Sequence, residues 1–181
     1  MSAVTGIGLG AAVVLLCGLL WSMVLPSKHV WPPRQSNWLV GLSAWLLTVV
    51  VFASAFLAGL GDWNSLAWPA EFRWIVGLPL ILIGNAVVWS AVAQLGLPAT
   101  SGEKRNLIVG GLYRYSRNPQ YMADVAILTG WLMLSGSFAA MPVAIAGTIV
   151  LLLAPLAEEP WLAAVYGDAF VNYRRSTRRY I

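Results

Sequence analysis

Apolar residues run along this chain in long stretches that are almost free of charge, each bounded by Pro, Gly or charged residues: Gly6 to Leu25, Trp38 to Leu60, Trp74 to Leu95, Tyr121 to Leu134 and Phe138 to Leu156. A stretch of about 20 such residues crosses the hydrocarbon of a bilayer as a helix. In that medium only a helix satisfies all of its own backbone donors and acceptors. The pattern predicts an all-α polytopic membrane bundle of about five transmembrane helices, followed by a cytoplasmic C-terminal helix. The first run has no basic residue ahead of it and is long enough to span, so it reads as a helix and not as a secretory leader. Only Ser135, Gly136 and Ser137 separate the fourth run from the fifth, which predicts a tight antiparallel hairpin. The fourth run is short, and this places Asp124 near the membrane boundary.

Composition strengthens this reading. Hydrophobic residues make up 59% and charged residues 10% of the 181, against about 25% charge in soluble domains. The chain is read as one domain over 1–181, with three spans in 1–95 and a loop, the hairpin and the last helix in 96–181. The net charge of +4 does not indicate nucleic acid, because the cations sit in loops and at the C-terminal end. Lys28 and Arg34 occupy the first loop, Lys104, Arg105, Arg114 and Arg117 the third, and Arg174, Arg175, Arg178 and Arg179 the tail. Five spans put all three clusters on one side, the cytoplasmic one by the positive-inside rule. The N-terminus is then outside and the C-terminus inside. Arg73 is expected in the second loop beside Asp62 and Glu71. Trp21, Trp31, Trp38, Trp63, Trp68, Trp74 and Trp131 are expected at span ends or in loops as interfacial anchors. A lone Cys17 and a lone His29 support neither a disulfide nor a metal cluster.

The segment from Thr100 to Tyr121 mixes glycines, aromatics and cations more than a connecting loop requires. Asn118 before Pro119 reads as the N-cap of the fourth helix, with Arg117 at a helix N-terminus, where cation and dipole together suit a carboxylate or phosphate. Contact with anionic lipid headgroups is the alternative. Glu158 and Glu159 directly follow the fifth span. The hairpin returns them to the start of the fourth, so they are expected to meet Arg117 or Arg114, either in a working site or as a structural ion pair.

These residues form an ordered series: Gly111-Leu112-Tyr113, Arg117-Asn118-Pro119-Gln120-Tyr121, Glu158-Glu159, then Tyr166-Gly167-Asp168 and Tyr173. The series resembles the isoprenylcysteine carboxyl methyltransferase and phospholipid methyltransferase superfamily of integral membrane enzymes, over roughly the last 80 residues. The resemblance implies an S-adenosylmethionine-dependent methyltransferase acting on a lipophilic or membrane-associated acceptor: a lipid amine, a prenylated carboxylate or a thiol. It implies Gly111, Tyr113, Arg117, Asn118, Tyr121 and Glu159 on the cofactor side, and Glu158 and Glu159 binding or orienting cofactor or acceptor. Arg117 and the two glutamates are thus catalytic candidates, and Asp124 is a fourth, as a base for a neutral acceptor, its place near the start of the fourth helix being also consistent with simple dipole stabilisation. Two positions depart from the family pattern. Asn118 stands where the family carries His and cannot act as a general base, and Ala123 stands where it carries Gly. Two other readings remain open at this point: a nicotinamide-dependent membrane reductase whose tail arginines grip a phosphate, and a non-enzymatic membrane scaffold. Oligomeric state is open too, because small residues such as Gly6 to Gly10 also pack helices within one chain.

Overall fold

The computed structural model describes residues 2–33, 38–95 and 107–180. Among them every regular element is helical and there is no strand. Helix α1 covers Ala3–Val24, α2 Trp38–Gly61, and α3 Ala70–Gln94 with a π-helical turn at Arg73–Gly77. Helix α4 covers Pro119–Ser135, α5 Met141–Tyr166 and α6 Asp168–Ser176. Helices α1, α2, α3 and α5 are each long and apolar enough to cross a membrane, so the protein is a multi-pass membrane protein. At 17 residues, α4 is about 25 Å long, the shortest of the five bundle members. It turns into α5 through Gly136, whose left-handed backbone (φ 56°) lets its N–H close on the Leu132 carbonyl at 2.9 Å. The expected hairpin is therefore present.

Lipid is as apolar as leucine, so helices in a bilayer gain little by burying large side chains against one another and associate through close packing of small residues. The interior follows that rule. Ala11, Ala12, Ala55, Ala144 and Ala154 are buried, whereas Ile7, Val13, Leu20, Trp45 and Leu57 face outward. Helices α3 and α4 touch backbone to backbone. A Cβ on Gly77 would lie 2.6 Å from the Leu134 nitrogen, and one on Gly84 2.8 Å from the Ala123 carbonyl oxygen. In α1, Gly8 makes room for Ser54 and Val143, while a Cβ at Gly6 or Gly10 would meet nothing. One of the N-terminal glycines thus packs helices within the chain.

The structure departs from three of the sequence expectations. Arg73 is no loop cation. It is 5% exposed inside the π-helical turn, donates from Nε to the Leu134 carbonyl at 2.9 Å and lies 4.7 Å from the Trp63 ring centre. A carbonyl of the last turn of α4 needs a donor and carries negative partial charge, and Arg73 supplies the donor together with a positive charge. The tryptophans are not all surface anchors either: Trp131 donates to the Ala55 carbonyl and stacks on Phe56. Finally, α5 does not stop at Leu156. It continues through Pro160 to Tyr166, so Glu158 and Glu159 sit within the helix, and Glu159 is buried.

At the end of the bundle where Arg73 lies, Asp62 ties α2 to the start of α5. Its Oδ2 accepts from Ser65 Oγ (2.7 Å), the Ala139 N–H (2.8 Å) and Ser137 Oγ (3.0 Å). These bonds, that of the Ser65 hydroxyl foremost, hold its carboxyl below the usual 3.8. A carboxyl with a depressed folded-state pKa contributes stability above its unfolded pKa and loses it as pH falls through the folded value. Asp62→Ala is expected to lower the melting temperature in detergent at pH 7. The gap to the wild type should narrow as pH is taken below about 3.8, which thermal melts across pH 3 to 7 would test.

Candidate functional site

The opposite end of the bundle gathers the sequence motifs. A carboxylate inside an apolar helix needs cationic partners, and Glu159 has two. Arg117 Nη2 donates to its Oε1 at 2.6 Å, while Arg179 reaches both oxygens, Nε to Oε1 at 2.8 Å and Nη2 to Oε2 at 2.7 Å. Arg117 is otherwise committed to the tail, with Nη1 donating to the Thr177 and Arg174 carbonyls. Only its Nε is buried without a partner. The tail runs back along the start of α4: the Arg117 N–H bonds the Arg178 carbonyl at 2.9 Å, and the Asn118 amide and Ser116 hydroxyl both donate to the Arg179 carbonyl.

The meeting of Arg117 with the glutamates that the hairpin predicted is therefore present, and it is Glu159 that Arg117 pairs with. Arg114 instead lies over its neighbour Tyr115, 4.8 Å from the ring centre. Two details differ from expectation. Asn118 stands at the N-cap position of α4, but its side chain makes no cap bond and secures the tail instead. Arg179, expected among topology-setting surface cations, is half of the ion-pair cluster. That role had one legible sign, since two adjacent acids exceed what Arg117 alone neutralises.

Glu158 takes different partners. Its Oε1 accepts from the Trp31 indole N–H at 2.6 Å and from the Tyr121 hydroxyl. Trp31 was expected to be an interfacial anchor. It is instead a wall of the site, because Ser22 at the end of α1 folds the following segment inward by accepting from the Val30 and Trp31 N–H groups, both at 2.9 Å. Nothing local in the sequence signals this, since the contact joins residues 31 and 158.

A cavity of about 710 Å³ opens beside these groups. Arg117, Asn118, Tyr121, Asp124, Glu158 and Glu159 line it, and so do Trp31, Tyr113 and Tyr173. Asp124 lies one turn beyond Tyr121 on α4 and has no hydrogen-bond partner among the described residues. Tyr113 and Tyr173 pack with buried Phe170, and the Tyr173 hydroxyl donates to the Tyr113 carbonyl. Burial pushes both phenols up to about 12, so they remain protonated donors at neutral pH. Gly111 does not line the cavity. Its positive φ of 59° and the Gln94 side chain pressed against its Cα leave no space for a Cβ, and Gln94 Oε1 accepts from the Leu112 N–H at 3.1 Å. Gly111 thus shapes the turn that presents Tyr113. Gly102, Lys104 and Arg105, also singled out from the sequence, lie outside the described residues, as does Arg34. No cluster of metal-ligating side chains occurs among the described residues.

Residues 72–169, more than half of the chain, match a family model described as phospholipid methyltransferase. The match takes in nearly all of α3, then α4 and α5, and ends inside α6, so it includes Arg117, Tyr121, Asp124, Glu158 and Glu159. Trp31 and Arg179 lie beyond it. No curated protein and no solved structure matches the chain significantly.

Removing the charge of Glu159 leaves two guanidinium groups without their shared partner. Breaking a buried pair costs about 3–5 kcal/mol, and the low end, roughly 3, is expected here because Arg179 is partly solvated. Glu159→Gln should accordingly lower thermal stability and expose the tail, read as faster tryptic cleavage at Arg174, Arg175 and Arg178.

Proposed function

The chain belongs to the phospholipid methyltransferase family, and on that premise we propose that it transfers a methyl group from S-adenosylmethionine to a lipophilic, membrane-associated acceptor. The observation that carries this reading is the convergence of Arg117, Tyr121, Glu158 and Glu159 on one cavity whose remaining walls are mostly aromatic and aliphatic, with Asn118, Gln120 and Asp124 among them. Its volume falls within the roughly 300–1,000 Å³ of small-molecule sites. The donor set fits a cofactor that carries a carboxylate, an ammonium, hydroxyls and a flat base. The Arg117 guanidinium on the cavity wall places positive charge near an anionic group, Glu158 suits an ammonium or hydroxyl, and Trp31, Tyr121 and Tyr166 offer ring faces and edges. S-adenosylmethionine would supply an electrophilic methyl on a sulfonium.

In this reading the residues bind, orient and exclude water. Glu158 is held in one rotamer by two donors on the same oxygen, so it presents a fixed acceptor. Asn118 and the two high-pKa tyrosines cannot take a proton at neutral pH. Asp124 is the carboxylate left to accept one from a neutral acceptor such as an amine or thiol, and an anionic acceptor would need no base. The first two spans complete the enclosure in a single domain over 1–181. The site faces the cytoplasm, because Lys28, Arg114, Arg117 and the tail arginines lie at its end of the bundle, while among the described residues the other end has only the buried Arg73 beside Asp62 and Glu71. A reductase reading loses support, because none of the tail arginines Arg174, Arg175, Arg178 and Arg179 lines the cavity, and Arg179 is engaged with Glu159.

Titration calorimetry of purified protein with S-adenosylhomocysteine, run beside NADPH, tests the proposal. Saturable binding of the nucleoside thioether alone is expected. Trp31→Phe, which keeps the ring but removes one bond to a charged group worth about 1.5 kcal/mol, should weaken it roughly tenfold, and Glu158→Gln should weaken it at least as much. Failure of correctly folded protein to bind would sink the methyltransferase reading and favour a scaffold.

A further inference from the structure

The cavity is larger than its polar end. From the level of Ser22 and Glu158 it continues along α1 to Val14 and along α5 to Val150, eight residues in each helix and hence about 12 Å. Over that length its walls are mostly apolar: Leu15 and Gly18 of α1, Leu47 and Phe52 of α2, and Val150 and Ala154 of α5, with the Thr48 hydroxyl beside them donating to the Ala44 carbonyl of its own helix. Gly18 faces open space, where a Cβ would meet nothing within 4 Å. The limb also reaches the outer surface. Helices α2 and α3 pack on α4 and not along each other. Between them Trp45 and Trp89 line the cavity while being 56% and 67% exposed on the lipid-facing side.

Resting on the function proposed above, we infer that this limb is a binding slot for one hydrocarbon chain of the lipid acceptor, entered sideways from the bilayer between α2 and α3, with Gly18 setting how much chain it admits. Three features identify the occupant. The slot is lined mostly by aliphatic and aromatic side chains, which suits an alkyl chain and not a nucleoside. Its depth of about 12 Å matches most of one leaflet's share of a hydrocarbon core roughly 30 Å thick. It is also continuous with the polar end that holds Glu158 and Tyr121, so a lipid whose headgroup lies at that end projects its chain into the slot with no bend out of its own leaflet. Asp124 lines the cavity one turn from Tyr121, where headgroup and chain would join.

The slot is tested with wild type, Gly18→Leu and Gly10→Leu in nanodiscs, using phosphatidylethanolamine with a diazirine in its acyl chain as photo-crosslinking probe. Gly10 is the control: it lies on the same helix, a side chain there would also meet nothing, and it does not line the cavity. Labelling of the slot walls of α1, α2 and α5 is expected in wild type and in Gly10→Leu, competed by unlabelled dioleoyl lipid. In Gly18→Leu it should fall about tenfold, the loss expected when some two methylenes no longer find the slot. S-adenosylhomocysteine affinity, measured on the same samples, should be equal in all three. Labelling spread evenly over the lipid-facing surface and alike in the three proteins would overturn the slot. So would loss of nucleoside binding in Gly18→Leu, which would assign the space to the cofactor. Specific slot labelling in protein that binds no S-adenosylhomocysteine would uphold the slot and remove the methyl-transfer reading instead.

Discussion

A carboxylate inside a membrane-spanning helix constrains everything around it. Glu159 sits in α5 with both oxygens bonded to guanidinium groups, and neither Arg117 nor Arg179 lies near it in the chain. An unpaired charge at that position would be costly enough to unfold the surrounding region. The need to pair it brings the start of α4 against α5 and folds the tail back over both. The tail's backbone then becomes part of the site, since the carbonyls of Arg174, Thr177, Arg178 and Arg179 accept from Arg117, Asn118 and Ser116. A cluster of this kind contributes little net stability compared with an apolar substitute. It does fix one arrangement of three distant segments, and a cavity wall requires that.

The other end of the bundle works by the same logic with different groups. Arg73 answers the Leu134 carbonyl in the last turn of α4, and Asp62 answers the donors where α5 begins. Between the two polar ends the helices touch through glycine and alanine, so the bundle is close-packed in the middle and tied at both extremities. The cavity lies where this close packing lapses, between α2 and α3 on one side and beside the folded-in Trp31 on the other.

Much of this was legible beforehand. The spans follow from apolar runs, the hairpin from a three-residue connection, and the meeting of Arg117 with the glutamates from the direction in which a hairpin returns. What was not legible has specific causes. Glu158, Glu159 and Pro160 resemble a helix end locally, yet paired charges let α5 continue to Tyr166. Arg73 resembles a loop cation until its partner, the Leu134 carbonyl 61 residues away, is known. Trp31 and Trp131 resemble anchors because an indole at a span end commonly is one, and only their long-range acceptors reveal otherwise.

By itself the sequence determined what the solvent would be. Hydropathy is a property of each residue and its near neighbours, so the number, order and approximate length of the helices, and the side on which the cations gather, need no tertiary information. Which charges pair, which indole forms a wall and where space is left depend on distances between residues far apart in the chain, as with 31 and 158 or 117 and 179. Those distances exist only once the helices have packed. The tertiary structure alone therefore decided that two of the arginines share one carboxylate, that the N-terminal segment joins the cavity wall, and that the cavity extends in a mostly apolar limb along α1 and α5.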